Sequence, residues 1–526
     1  MSTNTVNLDA LIARDDFAGE ASIKGASDRK VIQASELDGG FLLPALRKPD
    51  FQRETSYWSP QKVVDLVEAF IRGDLIPAVI LWQRGSETFV IDGAHRLSAL
   101  IAWVRDDYGD STSSIRFFSG HIPPEQKKIA ERTRKLVNKA VGPYARFKGL
   151  SSDRDSARPE DKKVLSALNT NAIQVQWVPA HDEKAVEDSF FKINQAAQPI
   201  DPTERRILRA RNAANAIAAR CIVRAGKGHK YWAQFPEENK KKIEEIGAEL
   251  YDALFHPPLD EPITTLALPV AGRGYNQLPF AFDLTNLCNG VPLPERADTR
   301  REGESLGSDS DGTQTLAFLG AVRKRVRLIT TKDSSSLGLH PAVYFYAMSG
   351  NFMPNAFLAT ADFAKRLVDC GELDVFILSR KKIEDYLFQN KVFISLTVTK
   401  LGSGARSLGR LSEMYWQIYK GFAEGLANDE VSEKLFTDTR FNHLLQAKNP
   451  PPRVTRGKSG KMSGATKSAI GLRDGYANVT RCGICGAPTH FRAVTADHKT
   501  RRSEGGTADM DNGQMAHPYC NSGFKS

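Results

Sequence analysis

Two pairs of metal-binding side chains, Cys482 with Cys485 and His517 with Cys520, frame the last stretch of this 526-residue sequence. A tight turn brings residues i and i+3 to the same side of an ion, so two such pairs supply the four corners that tetrahedral zinc needs. Chain ends normally fray. Zinc held by these four residues would instead staple this end to a knuckle well upstream. Two unrelated exposed turns would give the same letters, though nothing about them would require the paired spacing. Clustering of three cysteines favours metal ligation over disulfides in a reducing compartment, and the isolated Cys221, Cys288 and Cys370 read as core residues.

Between the two pairs lie "TADHKT" in an alternating stretch, a Gly-Gly turn and "DMDNGQMAHPYC", where Asn512 is expected to open a short helix. This order resembles the HNH, or ββα-metal, nuclease family over residues 479–526. The resemblance implies His498 as the general base that activates water against a phosphodiester. It implies Asp497 and Asn521 as ligands of a catalytic Mg²⁺ or Mn²⁺, and Asn512 as the residue that orients the His498 ring. Phosphodiester hydrolysis suits these types, since it wants a base titrating near neutrality and a hard cation on the phosphate. Asn521 stands where the family commonly has His. Lys499, Arg501, Arg502 and Lys525 could meet DNA phosphates, or form an ordinary solvated face.

A chain of this length exceeds one core and is expected to form about three domains. The formal charge of +10 leans toward a polyanionic partner. The segment "KNPPPRVTRGKSGKMSGATKSAIGLRDG" reads equally as a solvated linker or a DNA-tracking one. No apolar run reaches the roughly 18 residues of a membrane span, and the polar start lacks a secretory pattern. A cytoplasmic protein without membrane contact is expected. The expected division is a poorly ordered 1–35, a sensing domain over 36–210, a helical middle over 211–446, a basic linker over 447–478 and the zinc-framed domain over 479–526.

In the first half, Ser59 can cap a helix with Pro60 at its first position, ended by Pro77. "AVILW" and "TFVI" read as short buried strands around "QRGSE", and "GAHRLSALIAWV" as a helix. Asp92 and Gly93 therefore fall at a strand-to-helix junction, where backbone N–H groups and the positive helix end attract anions. Arg96 could fork a phosphate there. An Asp capping the helix and paired to the Arg explains the same positions.

The blocks "FQR", "IDGAHRL" and "FFKIN" occur in order and resemble the ParB-like family with a DGQQR motif, found in GmrSD-type modification-dependent restriction systems. That resemblance implies a ParB/sulfiredoxin-like fold that binds a nucleoside triphosphate through Gln52, Arg53, Asp92, Gly93, His95, Arg96 and Asn194. The sequence reads Asp-Gly-Ala-His-Arg where the family has Asp-Gly-Gln-Gln-Arg, so binding is better supported than hydrolysis.

The expected fold is α+β and multidomain. The expected function is a DNA endonuclease of an anti-phage restriction system, its C-terminal HNH site controlled by an N-terminal module that senses nucleotide or modified DNA. Pairing of two chains is one route to cutting both strands. The alternative is a nucleotide-gated DNA-binding regulator whose zinc unit is purely structural, and an RNA-directed nuclease stays open.

Overall fold

A computed structural model describes residues 5–15, 29–52, 54–56, 58–120, 122–152, 156–179, 183–196, 202–272, 277–294, 306–402, 404–448 and 460–525. Contacts divide the chain into two units, Met1–Arg211 with Lys227–Lys230, and Asn212–Gly226 with Tyr231–Ser526. Both sheets and helices are present, as expected of an α+β chain. No helix among the described residues is long and apolar enough to cross a membrane.

The first unit is built on a mixed six-stranded sheet. Its strands are β1 (Ala13–Asp15), β2 (Val31–Gln33), β3 (Leu46–Pro49), β4 (Val79–Arg84), β5 (Glu87–Asp92) and β6 (Ala172–Trp177), in the order β1-β3-β5-β4-β6-β2. The hairpin β4–β5 is where two β-branched and aromatic runs predicted it, with Val79, Leu81, Phe89, Val90 and Ile91 fully buried. Helix Pro60–Arg72 starts as expected, with the Ser59 side chain accepting from Lys62 N. It ends on Gly73 in the left-handed conformation, φ 74°, ahead of Pro77.

The described residues of the region expected to be poorly ordered, 5–15 and 29–35, contribute to this core. Val6 bridges to Trp58, β1 and β2 join the sheet edges, and the Asp9 carboxylate accepts from buried Lys48 at 2.5 Å and Arg14 at 3.1 Å. Strands of three residues carry no readable period, which is why the sequence does not announce them. Phe51, Ile91, Val186, Phe190 and Leu208 share one buried cluster with Trp82 and Phe89. The blocks "FQR", "IDGAHRL" and "FFKIN" thus meet in space.

The second unit is mainly helical up to residue 448, as the periodicity predicts. Helices Ala214–Val223, Glu237–Phe255, Leu278–Cys288 and Thr313–Ile329 pack together. At Gly247 a Cβ would meet Cys221 Sγ at 2.4 Å, so glycine permits two of these helices to approach closely. Of the isolated cysteines Cys221 is buried, Cys288 is half-buried and Cys370 is exposed at a helix end, so the last is not a core residue.

Part of the expected linker is folded. Gly464–Ala477 is a helix whose first turn is capped by the Ser463 side chain, and it buries Ser468, Leu472 and Tyr476. Its Gly, Ser and Lys content hides it from composition. Residues 449–459 lie outside the described residues. The helical part and the part framed by Cys482, Cys485, His517 and Cys520 belong to the same unit.

Candidate functional site

The Cys482 turn closes through Cys482 N to Ala487 O and Gly486 N to Cys482 O, both 2.9 Å, with Gly486 at φ 70°. This turn turns two thiols to one side. His517 and Cys520 arrive from the end of the second hairpin, and the ligand atoms of all four residues lie within 4.8 Å of one another. The His517 Nδ1 distances are 3.4 Å to Cys485 Sγ and 3.8 Å to Cys520 Sγ. A zinc tetrahedron with sulfur at ~2.3 Å has edges of ~3.8 Å, so the donor set fits that ion.

His517 Nε2 donates to Pro488 O at 3.1 Å, which leaves Nδ1 as the ligand atom. Burial, with the Arg380 guanidinium adding to it, holds the ring below its usual pKa and therefore neutral. Hydrogen bonds from Cys485 and Cys520 pull the Cys482 thiol far down, while its contact pushes Cys485 up to about 11. Three sulfurs this close call for a cation.

Strands β7 (Thr495–His498) and β8 (Gly513–Ala516) form an antiparallel hairpin with Asp497 opposite Gln514 and His498 opposite Gly513. Asp497 is 9% exposed, and its Oδ2 accepts from Gln514 Nε2 at 2.8 Å and Lys525 Nζ at 2.9 Å. Lys525 also donates to His498 O. It is drawn into the site rather than held out toward solvent.

Asn521 lies in the final helical turn, and its Nδ2 donates to Thr495 Oγ1 at 3.3 Å and Ala496 O at 3.4 Å. Asp497 and Asn521 are each anchored by one terminal atom. The other atom, a hard oxygen, takes no hydrogen bond from any described residue. Uncommitted hard oxygens of this kind are the donors that a divalent cation such as Mg²⁺ or Mn²⁺ takes.

Asn512 lies in the turn before β8 and opens no helix; the helical turn comes later, at Cys520–Phe524. Its backbone carbonyl accepts from Lys499 N at 2.7 Å, and its side chain bonds Thr500 N at 2.8 Å, Thr500 O at 3.0 Å and Thr507 O at 2.7 Å. The Asn therefore fixes the loop that leaves His498. Lys499, Arg501 and Arg502 are exposed on that loop.

The hairpin is set into the helical part of its unit. Arg380 and Glu384 are fully buried and paired at 2.6 Å, and Arg380 Nη2 donates to Gly338 O at 3.0 Å while Nη1 donates to Leu337 O. A Cβ on Gly338, φ 61°, would meet His517 Cδ2 at 2.8 Å. Tyr519 OH donates to Asp374, Arg481 pairs with Asp385 at 3.1 Å, and Tyr476 stacks on Phe388 at 3.7 Å. Burial pushes the His490 imidazole down to about 4, and the neutral ring bonds Leu268 O at 3.1 Å. No motif marks Arg380, Gly338 or Gln514 in the sequence; only the strand register identifies Gln514.

In the first unit, Asp92 ends β5 and Gly93, φ 95°, starts helix Ala94–Arg105. A Cβ on Gly93 would meet Val79 Cγ1 at 2.6 Å. Arg96 Nη2 donates to Asp92 at 2.6 Å and to Ala78 O at 3.1 Å. His95 stacks on Trp58 with centroids 5.7 Å apart. Gln52 is 6% exposed, with Nε2 donating to Ile91 O at 3.4 Å and Oε1 without a described partner. Gln52, Asp92, Gly93, His95 and Arg96 are thus neighbours. Arg53 lies outside the described residues, as does the side chain of Asn194.

Residues 32–212 match the family model of the GmrSD restriction endonuclease, N-terminal domain, and residues 482–524 match that of the HNH endonuclease. No curated protein and no solved structure matches the chain. A GmrSD restriction endonuclease domain and an HNH endonuclease domain on one chain support a restriction-type nuclease whose partner is DNA.

Proposed function

We propose that the chain is a DNA endonuclease of a bacterial anti-phage restriction system, which nicks or cuts phosphodiesters at the C-terminal hairpin under control of the N-terminal unit. One observation carries the reading: Asp497, next to His498 in β7, and Asn521, bonded to Thr495 and Ala496 of the same strand, each keep a hard oxygen uncommitted, on a hairpin that bears the Cys₃His cluster. A structural zinc knuckle requires none of these three.

In this reading His498 takes the proton from the attacking water. Adjacent residues at a strand end send their side chains to opposite sides of the backbone. A phosphate lying across that end would meet the base from one side and the cation ligands from the other. A divalent ion held by Asp497 and Asn521 would supply charge neutralisation at the phosphate and leaving oxygen. Asn512 holds the loop after His498, and Lys525 keeps the Asp497 carboxylate in place.

The first unit is read as a ParB/sulfiredoxin-like sensor of nucleotide or DNA modification. Gln52, Asp92, Gly93, His95 and Arg96, with Arg53 and Asn194, would take a nucleoside triphosphate. The Asp92–Arg96 pair is then a latch that anionic phosphate would compete to open.

A supercoiled-plasmid assay tests the reading, using modified and unmodified DNA with Mg²⁺ or Mn²⁺, with and without nucleotide. His498→Ala should lower nicking about 10²- to 10⁴-fold while leaving zinc content and melting unchanged. If the wild type relaxes no DNA, the regulator with a structural zinc unit takes its place.

A further inference from the structure

Helix Pro124–Ala140 in the first unit reads PEQKKIAERTRKLVNKA, with six basic residues against two acidic. It buries Gln126, Ile129, Ala130, Thr133 and Val137 and packs against helix Pro60–Arg72. At about 100° per residue those five fill one face. Lys128, Arg132, Lys135 and Lys139 recur at i, i+4, i+7 and i+11, which sets them within ~60° of one another on the opposite face. All four are exposed.

Their charge is largely unneutralised. Lys135 pairs with Glu131 at 2.5 Å, whereas Lys128, Arg132 and Lys139 have no acidic partner among the described residues. Several other cations of this unit are engaged: Arg72 with Asp74, Arg96 with Asp92, Lys148 with Asp38 and Arg211 with Asp50. Arg134, on the same helix but off the stripe, is tied to Asp106 at 2.8 Å and Asp110 at 2.6 Å. On this helix the cations without a described acidic partner are therefore the three of the outer row and Lys127 on its flank.

The geometry points to this row as a docking surface for the phosphate backbone of duplex DNA, an assignment that rests on reading the chain as a DNA nuclease. A rise of 1.5 Å per residue spreads the four cations over ~16 Å. One DNA strand presents a phosphate every ~3.4 Å along the axis, so the row spans about five. The row has no aromatic side chain on which unpaired bases could stack, and no large apolar one to enter a membrane. Such a surface holds the duplex by charge and reads no sequence.

The test measures fluorescence anisotropy of a labelled duplex with the full-length His498→Ala protein, without added divalent ion, across a salt series. Replacing three cations together (Lys128→Gln, Arg132→Gln, Lys139→Gln) should lower the slope of log affinity against log salt by about 2.7. Affinity at the lowest salt should fall at least tenfold, with the thermal melt unchanged. Lys127→Gln, on the flank of the helix, should leave the slope as it was. An unchanged slope and affinity in the triple variant overturns the surface, as does loss of binding to an RNA duplex with DNA binding intact. If wild type nicks DNA in that event, only the surface fails; if it neither nicks nor binds, the nuclease reading fails with it.

Discussion

The ammonium of Lys525 lies 2.9 Å from the Asp497 carboxylate, with the two side chains 19% and 7% exposed. The sequence leaves Lys525 as either a phosphate contact or part of a solvated face; in the structure its ammonium donates to the Asp497 carboxylate. Lys525→Met would leave Gln514 as the described donor to that oxygen. A charge-assisted bond of this kind contributes about 1.5–3 kcal/mol, so the variant should melt several degrees lower and nick more slowly. Lys499→Met, whose ammonium reaches only the exposed Asp511 carbonyl, should leave the melt within a degree.

Zinc should be present stoichiometrically in the purified protein and lost in Cys520→Ser, as read by elemental analysis. Because the ligating sulfurs must be thiolates, apparent zinc affinity should fall as pH is lowered. Chelation should lower the melting of helices in the same unit, not of the hairpin alone, since His517 leans on Gly338 and Tyr519 N donates to Ser336 O.

Gly338→Ala should weaken zinc retention although the residue ligates nothing. Its φ of 61° disfavours a side chain, and the added carbon would press on His517 Cδ2 at 2.8 Å and Ala493 O at 3.0 Å. Faster zinc transfer to a colorimetric chelator is the expected reading. A rate equal to wild type would show that the backbone gives way freely.

Lys391 gives the fold a pH dependence. Burial lowers its pKa from the usual 10.5 to about 7, with Nζ donating to Val343 O at 3.1 Å and to Tyr346 O. Between those two values the unfolded chain binds a proton that the folded chain does not, so stability rises with pH across the window. Charging the buried amine costs about 5 kcal/mol relative to the unfolded chain. Denaturant melts of wild type minus Lys391→Met should show that rise between pH 7 and 10; a flat difference would count against a neutral buried lysine.

What the sequence reveals follows the range of the interactions involved. The paired spacing of Cys482, Cys485, His517 and Cys520 is local and rigid, and all four ligands come together. Ser59 with Pro60, and the two runs around Gly85, are likewise local signals that act within a few residues. Arg380 lies far from His517 in the chain, and the two groups it meets on the Gly338 loop are backbone carbonyls that leave no trace in residue identity. Helix Gly464–Ala477 escapes notice because its apolar anchors are only a few scattered residues. Asn512 carries the expected letter but serves the loop after His498 instead of starting a helix.

The buried Arg380 bears on how such a chain could be recombined. A cut near residue 479 would strip Arg481 of Asp385 and of the Tyr476 ring it lies over. It would also leave His490 and Tyr519 without the carbonyl and carboxylate they meet, and uncover the His517 face that Gly338 covers. The hairpin is therefore a poor cassette for grafting onto another scaffold. A transplant would have to carry the helix Leu373–Gln389 and the loop around Gly338 with it.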